Sequence, residues 1–216
     1  WSSDVCSSDL RISPYLHFGQ VSPLWLALQV AAVRREHPEG AAAFLEQLVV
    51  RRELSINHVT YTGGYDRFDA LPSWARKSLL AHRGDERPVL YGDAVLEGAE
   101  THDPYWNAAM KEMVHTGFMH NYMRMYWGKK VLEWSRSPEE AFVRLLRMNN
   151  TYFLDGRDPN SYAGVSWIFG LHDRPWKERP VFGTVRYMAA SGLERKCDIR
   201  AYVRRIEALV SGREAP

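Results

Sequence analysis

The sequence predicts an all-α fold, and three observations predict it. Segments with helix-start signals follow one another along most of the chain. Apolar residues within them recur at helical spacing rather than alternating. Strand-like runs are almost lacking: only residues 165–169, and at most 59–62, could be extended. With no βαβ alternation, a Rossmann-type dinucleotide fold is not expected.

Residues 1–10, Trp-Ser-Ser-Asp-Val-Cys-Ser-Ser-Asp-Leu, are Ser/Asp-rich and aperiodic, and read as a non-native tail of translated adapter sequence. Residues 11–216 read as one helical domain. Ser22-Pro23 pairs an N-cap with a proline at the first helical position and starts a helix to about 35. His37-Pro38-Glu39-Gly40 is a break, and 41–59 is a long helix. Residues 60–72 are loop, 73–82 a short helix, and 83–92 irregular. Asp93 caps a helix to about 100, and Thr101-His102-Asp103-Pro104 opens another from 105 to about 115. That helix leads into a helical stretch at 117–134. Ser137-Pro138-Glu139-Glu140 is a capping box for a helix to about 148. Residues 149–180 are irregular, and helices at 183–190 and 198–210 finish the chain.

The stretch 117–134 stands out. At about 100° per residue it sets His120, Arg124, Trp127, Val131 and Trp134 on one stripe, with Tyr122, Lys129 and Glu133 opposite. A core-facing stripe is normally Leu, Ile and Val. An Arg on a buried stripe must meet an anion, because an unpaired buried charge costs several kcal/mol. The stripe therefore predicts a carboxylate elsewhere in the chain, or a phosphate. The alternative is a surface helix whose Arg snorkels and whose indoles merely pack.

The composition is that of an ordinary globular chain: 216 residues, 45% hydrophobic and 25% charged, enough for one large domain or two small ones. A net charge of +2 neither demands nor excludes nucleic acid. Eight Trp and eleven Tyr suit either a large core or stacking on a planar ligand. Cys6 and Cys197 are too few for a disulfide framework or a metal site, so a reducing intracellular setting is the default. No apolar run approaches the ~20 residues of a membrane span. His102, His115 and His120 lack ligand spacing, so no metal is expected.

Two further patterns bear on chemistry. The loop Leu154-Asp155-Gly156-Arg157-Asp158-Pro159-Asn160 is either an Asx-type turn or a carboxylate platform, one Asp pairing Arg124 and another accepting from a heterocycle N–H. Arg51-Arg52-Glu53, with Arg34-Arg35 and Arg204-Arg205, is either a solvated face or a phosphate footprint. Trp127 and Trp134 are nearly in phase, their backbones roughly 10 Å apart. With Trp106 they are core packing, or a hopping chain of oxidisable indoles.

Taken together, several stretches resemble the flavin-binding domain of the photolyase/cryptochrome superfamily, most closely the class II cyclobutane pyrimidine dimer photolyases. They are Ser13-Pro14-Tyr15-Leu16-His17-Phe18-Gly19-Gln20, Phe44-Leu45-Glu46-Gln47-Leu48-Val49-Val50-Arg51-Arg52-Glu53-Leu54, and Thr101-His102-Asp103-Pro104-Tyr105-Trp106-Asn107-Ala108-Ala109. The 117–134 helix, residues 154–160 with Tyr162-Ala163-Gly164, and His172-Asp173-Arg174-Pro175-Trp176-Lys177-Glu178-Arg179-Pro180-Val181-Phe182-Gly183 complete the set. The resemblance runs through residues 11–205 in order.

It implies an all-helical domain holding FAD in a bent form beside a pocket for a pyrimidine dimer flipped out of double-stranded DNA, without the N-terminal α/β antenna domain or its chromophore. The implied reaction is that of a carbon–carbon lyase: light drives an electron from reduced FAD into the dimer, the ring splits, and the electron returns. Carried over by position, the cofactor residues are Ser13 at the phosphate side, Arg52, Asn121, Arg124 and Asp155 flanking the ring system, Asn149 near its N5, and Asp158. Met125 and Trp167 fall on the dimer pocket, with Arg51 toward DNA. Trp127, Trp106 and Trp134 match the class II photoreduction relay. Gln47 replaces the usual dimer-contacting Glu, Asn121 a usual Gly, and Cys197 a usual Phe. The implied protein is a monomer, cytoplasmic and nucleoid-associated if bacterial or archaeal. Alternatives are a cryptochrome-like flavin photosensor without repair, toward which Gln47 leans, and an inert DNA-binding fragment.

Overall fold

Proline sets many of the helix starts in the computed structural model, which describes residues 11–212; the expectation for residues 1–10 lies outside them. Pro occupies the first turn of α1 (Ser13–His17), α2 (Pro23–Ala32), α3 (Pro38–Leu45), α7 (Pro104–Thr116), α9 (Pro138–Tyr152) and α10 (Pro159–Ile168). Its fixed φ suits a helix, and its missing N–H has no helical acceptor there anyway. The others are α4 (Arg52–Tyr61), α5 (Ser73–Ala81), α6 (Asp93–Glu97), α8 (Asn121–Trp134), α11 (Ala190–Glu194) and α12 (Ile199–Ser211).

Side-chain caps fall where short polar residues precede the helices. Ser22 Oγ accepts from Trp25 N at 3.3 Å, and Asp103 Oδ1 accepts from Tyr105 N at 2.9 Å and Trp106 N at 3.1 Å. Ser137 Oγ accepts from Glu140 N at 3.1 Å, while Glu140 Oε2 reaches back to Arg136 N at 2.7 Å, one residue short of a full capping box. Asp158 and Asp198 cap α10 and α12.

Several expectations are corrected. Pro38 begins a helix rather than lying in a break, and the helical path from Pro38 to Tyr61 is interrupted by a π-helical segment, Glu46–Arg51. Gly117 takes a left-handed φ of 66° and ends α7, so the helix expected from 117 starts at Asn121. His120 consequently leaves the inner stripe and becomes the cap, its Nδ1 accepting from Tyr122 N at 3.2 Å. Residues 165–168 finish α10 and Phe169 caps it, so no strand forms there, and α10 itself lies in a region expected to be irregular. The helix expected at 183–190 is a turn around an isolated Arg179–Gly183 bridge, and α11 begins only at Ala190. Loop-forming Pro and Gly had masked α10, whose Pro159 is a start signal rather than a break.

Helix α8 packs on α7, α9 and α10, while α10 also packs on α4, and α12 on α7. The expected outer face of α8 is wrong at Lys129, which is fully buried, its Nζ donating to Ile168 O at the end of α10. The three indoles Trp106, Trp127 and Trp134 lie at the centre of this core. Gly128 permits the α8–α10 approach: a Cβ there would sit 2.2 Å from Ile168 Cδ1 and 2.9 Å from Cγ1. Glu112 is buried on α7 and accepts from Tyr202 Oη at 2.6 Å and Arg205 Nη2 at 3.0 Å, which fastens α12. No helix among the described residues is long and apolar enough to cross a membrane.

Two outcomes follow from the α8–α10 seam. Gly128→Ala forces Ile168 to move and lowers stability by about 1–3 kcal/mol, read from urea unfolding. Burial pushes the Lys129 ammonium down from 10.5 to about 7. Across that window the unfolded chain binds the extra proton, so this group's contribution to stability rises with pH and is lowest below about 7. Lys129→Met therefore shows a smaller gain in urea midpoint than wild type between about pH 7 and pH 9.

Candidate functional site

The carboxylate demanded by the Arg124 stripe is Asp155. Arg124 Nη2 donates to Asp155 Oδ1 at 3.1 Å and Oδ2 at 3.3 Å, and Arg124 Nε donates to Met119 O at 3.0 Å. The guanidinium also stands 3.8 Å over the centroid of Phe153, so one face is packed and its edge is paired. Asp155 is buried and comes from the turn between α9 and α10. That turn is pinned by Leu154 N donating to Gly117 O at 2.9 Å and Ser161 Oγ donating to Asp155 O at 2.8 Å. Gly156 is needed for its tightness, since a Cβ there would meet Phe153 O at 2.9 Å and Asn149 O at 3.1 Å.

Helix α1 joins the same place. Ser13 Oγ donates to Asp155 Oδ2 at 2.7 Å, and His17 Nδ1 lies 3.2 Å from Asp158 Oδ2. Ser13, Arg124, Asp155 and Asp158 thus form one polar cluster although they span 145 residues of chain. Asn149 lies buried on the last turns of α9, its Nδ2 donating to Asn150 Oδ1 at 3.0 Å. Asn121 is exposed at the first position of α8, and Met125 is half-buried one turn further on.

The indoles form a second array. Trp127 packs edge-on to Phe153 at 6.3 Å, beside the Arg124 guanidinium. Trp106 Nε1 donates to Trp127 O at 3.0 Å, and its ring lies 5.6 Å from that of Trp134. Trp134 in turn touches Tyr91 and His102, each at 5.3 Å. Trp127 Nε1 is buried with no hydrogen-bond partner among the described residues. A buried donor left in this way is costly.

A third group lies along the π-helical segment and α10. Gln47 is exposed and Arg52 half-buried. Arg51 Nε is 3.5 Å from Glu46 Oε1, and its guanidinium lies 5.4 Å from the Trp167 ring centroid. Trp167 meets His172 edge-on at 5.7 Å. Burial and then the Arg51 charge push the His172 imidazole below its ordinary value; burial and then His172 do the same to His58. Sequence reasoning missed His17, Phe153, Ser161, His58, His172 and Tyr91. All but Ser161, which bonds Asp155 O within the same turn, act through contacts distant in sequence, and only His17 and His172 lay within motifs that could have drawn attention.

The donor set suits a flavin. A planar cation, a carboxylate and a carboxamide near one another complement the amide edge of an isoalloxazine, and the orphaned Trp127 Nε1 offers a further donor at the same place.

The helical arrangement is of the cryptochrome type: a cryptochrome crystal structure from Synechocystis sp. PCC6803 superposes with a TM-score of 0.64 at 16% identity, covering 90% of this chain and 37% of that one. No protein-family model matches the chain. Among curated proteins, deoxyribodipyrimidine photo-lyase from Methanothermobacter thermautotrophicus is 56% identical over 200 residues, 93% of this chain and 44% of the relative. Its namesake from Oryza sativa subsp. japonica is 50% identical over 199 residues, 92% of this chain and 39% of the relative. The chain belongs to the deoxyribodipyrimidine photo-lyase family. It spans less than half the length of these relatives.

Removing the anion tests the cluster. Asp155→Asn leaves the Arg124 charge unpaired and lowers stability by roughly 3 kcal/mol, whereas Ser13→Ala, which deletes one hydrogen bond, costs about 1 kcal/mol. Urea unfolding of both variants measures the difference.

Proposed function

We propose that this chain is the FAD-binding and DNA-binding part of a class II photolyase that repairs cyclobutane pyrimidine dimers under light. The observation that carries the reading is the 56% identity to a deoxyribodipyrimidine photo-lyase across 93% of the chain. The pairing of Arg124 with Asp155, flanked by a row of indoles, supports it.

Reduced FAD, when bound, supplies the electron that opens the cyclobutane ring and takes it back afterwards. The protein's own residues position and insulate. Arg124 and Asp155 present a fixed charge pair to the ring system, with Ser13 holding the carboxylate oriented. Asn149 offers an amide beside it. Arg52 and Asp158 are the further cofactor contacts, and Asn121 lies at the mouth of the site on α8. Met125 and Trp167 receive the flipped-out dimer, whose poor stacking lowers the cost of extruding it. Arg51, already near the Trp167 face, contacts the DNA backbone. Trp127, Trp106 and Trp134 pass electrons inward to return oxidised cofactor to its working state. The DNA partner is a duplex carrying the dimer, and the chain acts as a monomer.

Gln47 favours a second reading, a flavin photosensor without repair. The carboxamide can donate and accept but cannot supply a proton.

Reconstitution with FAD followed by an absorption spectrum and a blue-light repair assay on dimer-containing DNA tests the proposal. A flavin band with repair supports it. A flavin band without repair supports the photosensor, and no band after reconstitution removes both. Trp127→Phe blocks photoreduction of oxidised cofactor and leaves repair by chemically pre-reduced protein largely intact. Gln47→Glu raises the quantum yield of repair; equal yields would remove the role given to this position.

A further inference from the structure

A hopping chain has to end where a reductant can reach it, and Trp134 does not. Its indole is 1% exposed, enclosed by Trp106, Tyr91, His102 and the Lys130 ammonium. From this enclosure we infer that Tyr91 is the terminal member of the relay, oxidised by Trp134 with loss of its phenolic proton to His102. The inference rests on the reading of Trp127, Trp106 and Trp134 as a relay.

The phenol is held at both ends. Tyr91 N donates to Trp134 O at 3.2 Å, which fixes the two backbones together. The two rings meet edge to face at 5.3 Å, close enough for a hop. Tyr91 Oη accepts from the backbone N–H of His102 at 3.0 Å and lies 2.6 Å from His102 Nδ1. With the oxygen already accepting from that N–H, the phenol's own proton is left for Nδ1. Tyr91 is half-buried and His102 exposed, so the proton can pass on to water.

The step balances. The photoexcited oxidised flavin is the primary oxidant, and the hole it leaves moves outward to Trp134. One electron then passes from Tyr91 to the Trp134 radical cation while the Oη–H bond breaks and Nδ1–H forms. Trp134 returns to its neutral closed shell, Tyr91 becomes a neutral radical, and His102 carries the proton. Lys130 Nζ lies 5.8 Å from the Trp134 ring, so a cation on that indole is opposed by a neighbouring charge, whereas a neutral tyrosyl is not. Glu133, at 2.6 Å from Nζ, weakens this effect without removing it. A hollow of about 400 Å³ lined by Pro88, Val89, Tyr91, His102, Lys130 and Glu133 opens beside the phenol, and Trp134 adds only its 1% exposed edge to the wall. It gives a small one-electron reductant, such as a thiol, access to the radical.

The test is time-resolved electron paramagnetic resonance after a flash, on the FAD-reconstituted chain and on the flavin-free chain oxidised by a soluble ruthenium photo-oxidant. A tyrosyl signal that disappears in Tyr91→Phe, leaving a tryptophanyl signal that Trp134→Phe removes, is expected in both preparations. In His102→Phe the tyrosyl forms roughly a hundredfold more slowly, the low end of what a positioned base contributes. A tryptophanyl signal alone in wild type, or a tyrosyl signal unchanged by Tyr91→Phe, overturns the inference. Failure of the relay itself is distinguishable: the flash then yields no tryptophanyl radical in the FAD-loaded chain, while the ruthenium arm still reports whether Tyr91 is the sink for a hole on Trp134.

Discussion

A helix enclosed on nearly all sides can carry polar side chains only where its neighbours satisfy them, and α8 is such a helix. Its Met123, Tyr126, Trp127, Gly128, Lys129, Val131, Leu132 and Trp134 are all buried. Three of its polar groups have recruited a partner from a different element, while Lys130 pairs with Glu133 on α8 itself. Arg124 takes Asp155 from the turn after α9, Tyr126 donates to Asp103 at the start of α7, and Lys129 donates to the last carbonyl of α10. The enclosing helices are thereby held in one arrangement, because an unmet buried polar group costs more than the hydrogen bond gains. Asp103 shows the economy of this: one oxygen caps α7 and the other receives the Tyr126 hydroxyl. Burial, and then that carboxylate, raise the Tyr126 phenol far above its ordinary value, so it stays protonated and donating.

The same enclosure explains how one helix can serve two ends of a site. Toward its N-terminus, α8 faces the polar cluster of Ser13, Asp155 and Asp158, where charge is paired and the surface is accessible. Toward its C-terminus, it lies among indoles and apolar side chains with little water. A charge pair and a row of oxidisable rings need these opposite environments, and a helix of 14 residues is long enough to span both.

Much of this was legible in the sequence where the deciding physics is local. Pro at N1 and Ser or Asp before it are read by their own helix, so α2, α7, α9 and α12 lie close to expectation. The stripe argument predicted an anion for a buried Arg124, a carboxylate or a phosphate, and Asp155 is that anion. Lys129 failed the same argument. The helical wheel put it outside, but the absence of a side chain at Gly128 draws α10 so close that the neighbouring ammonium is covered too. The cofactor and substrate assignments came from resemblance rather than from pattern. Ser13 shows why: nothing local in Ser-Pro-Tyr-Leu-His says that its hydroxyl will meet a carboxylate 142 residues away.

The π-helical segment Glu46–Arg51 has a consequence for how this part of the molecule can change. Such a segment accommodates one residue more than an α-helix of the same span. Removing that residue would let the path close into a regular α-helix, with α4 still seated on α10 and α3 keeping its face. Gln47 lies inside this segment and Arg51 at its end, directly before α4. The segment therefore takes up a one-residue change of length locally. A single-codon deletion there re-aims Gln47 without disturbing the helices on either side.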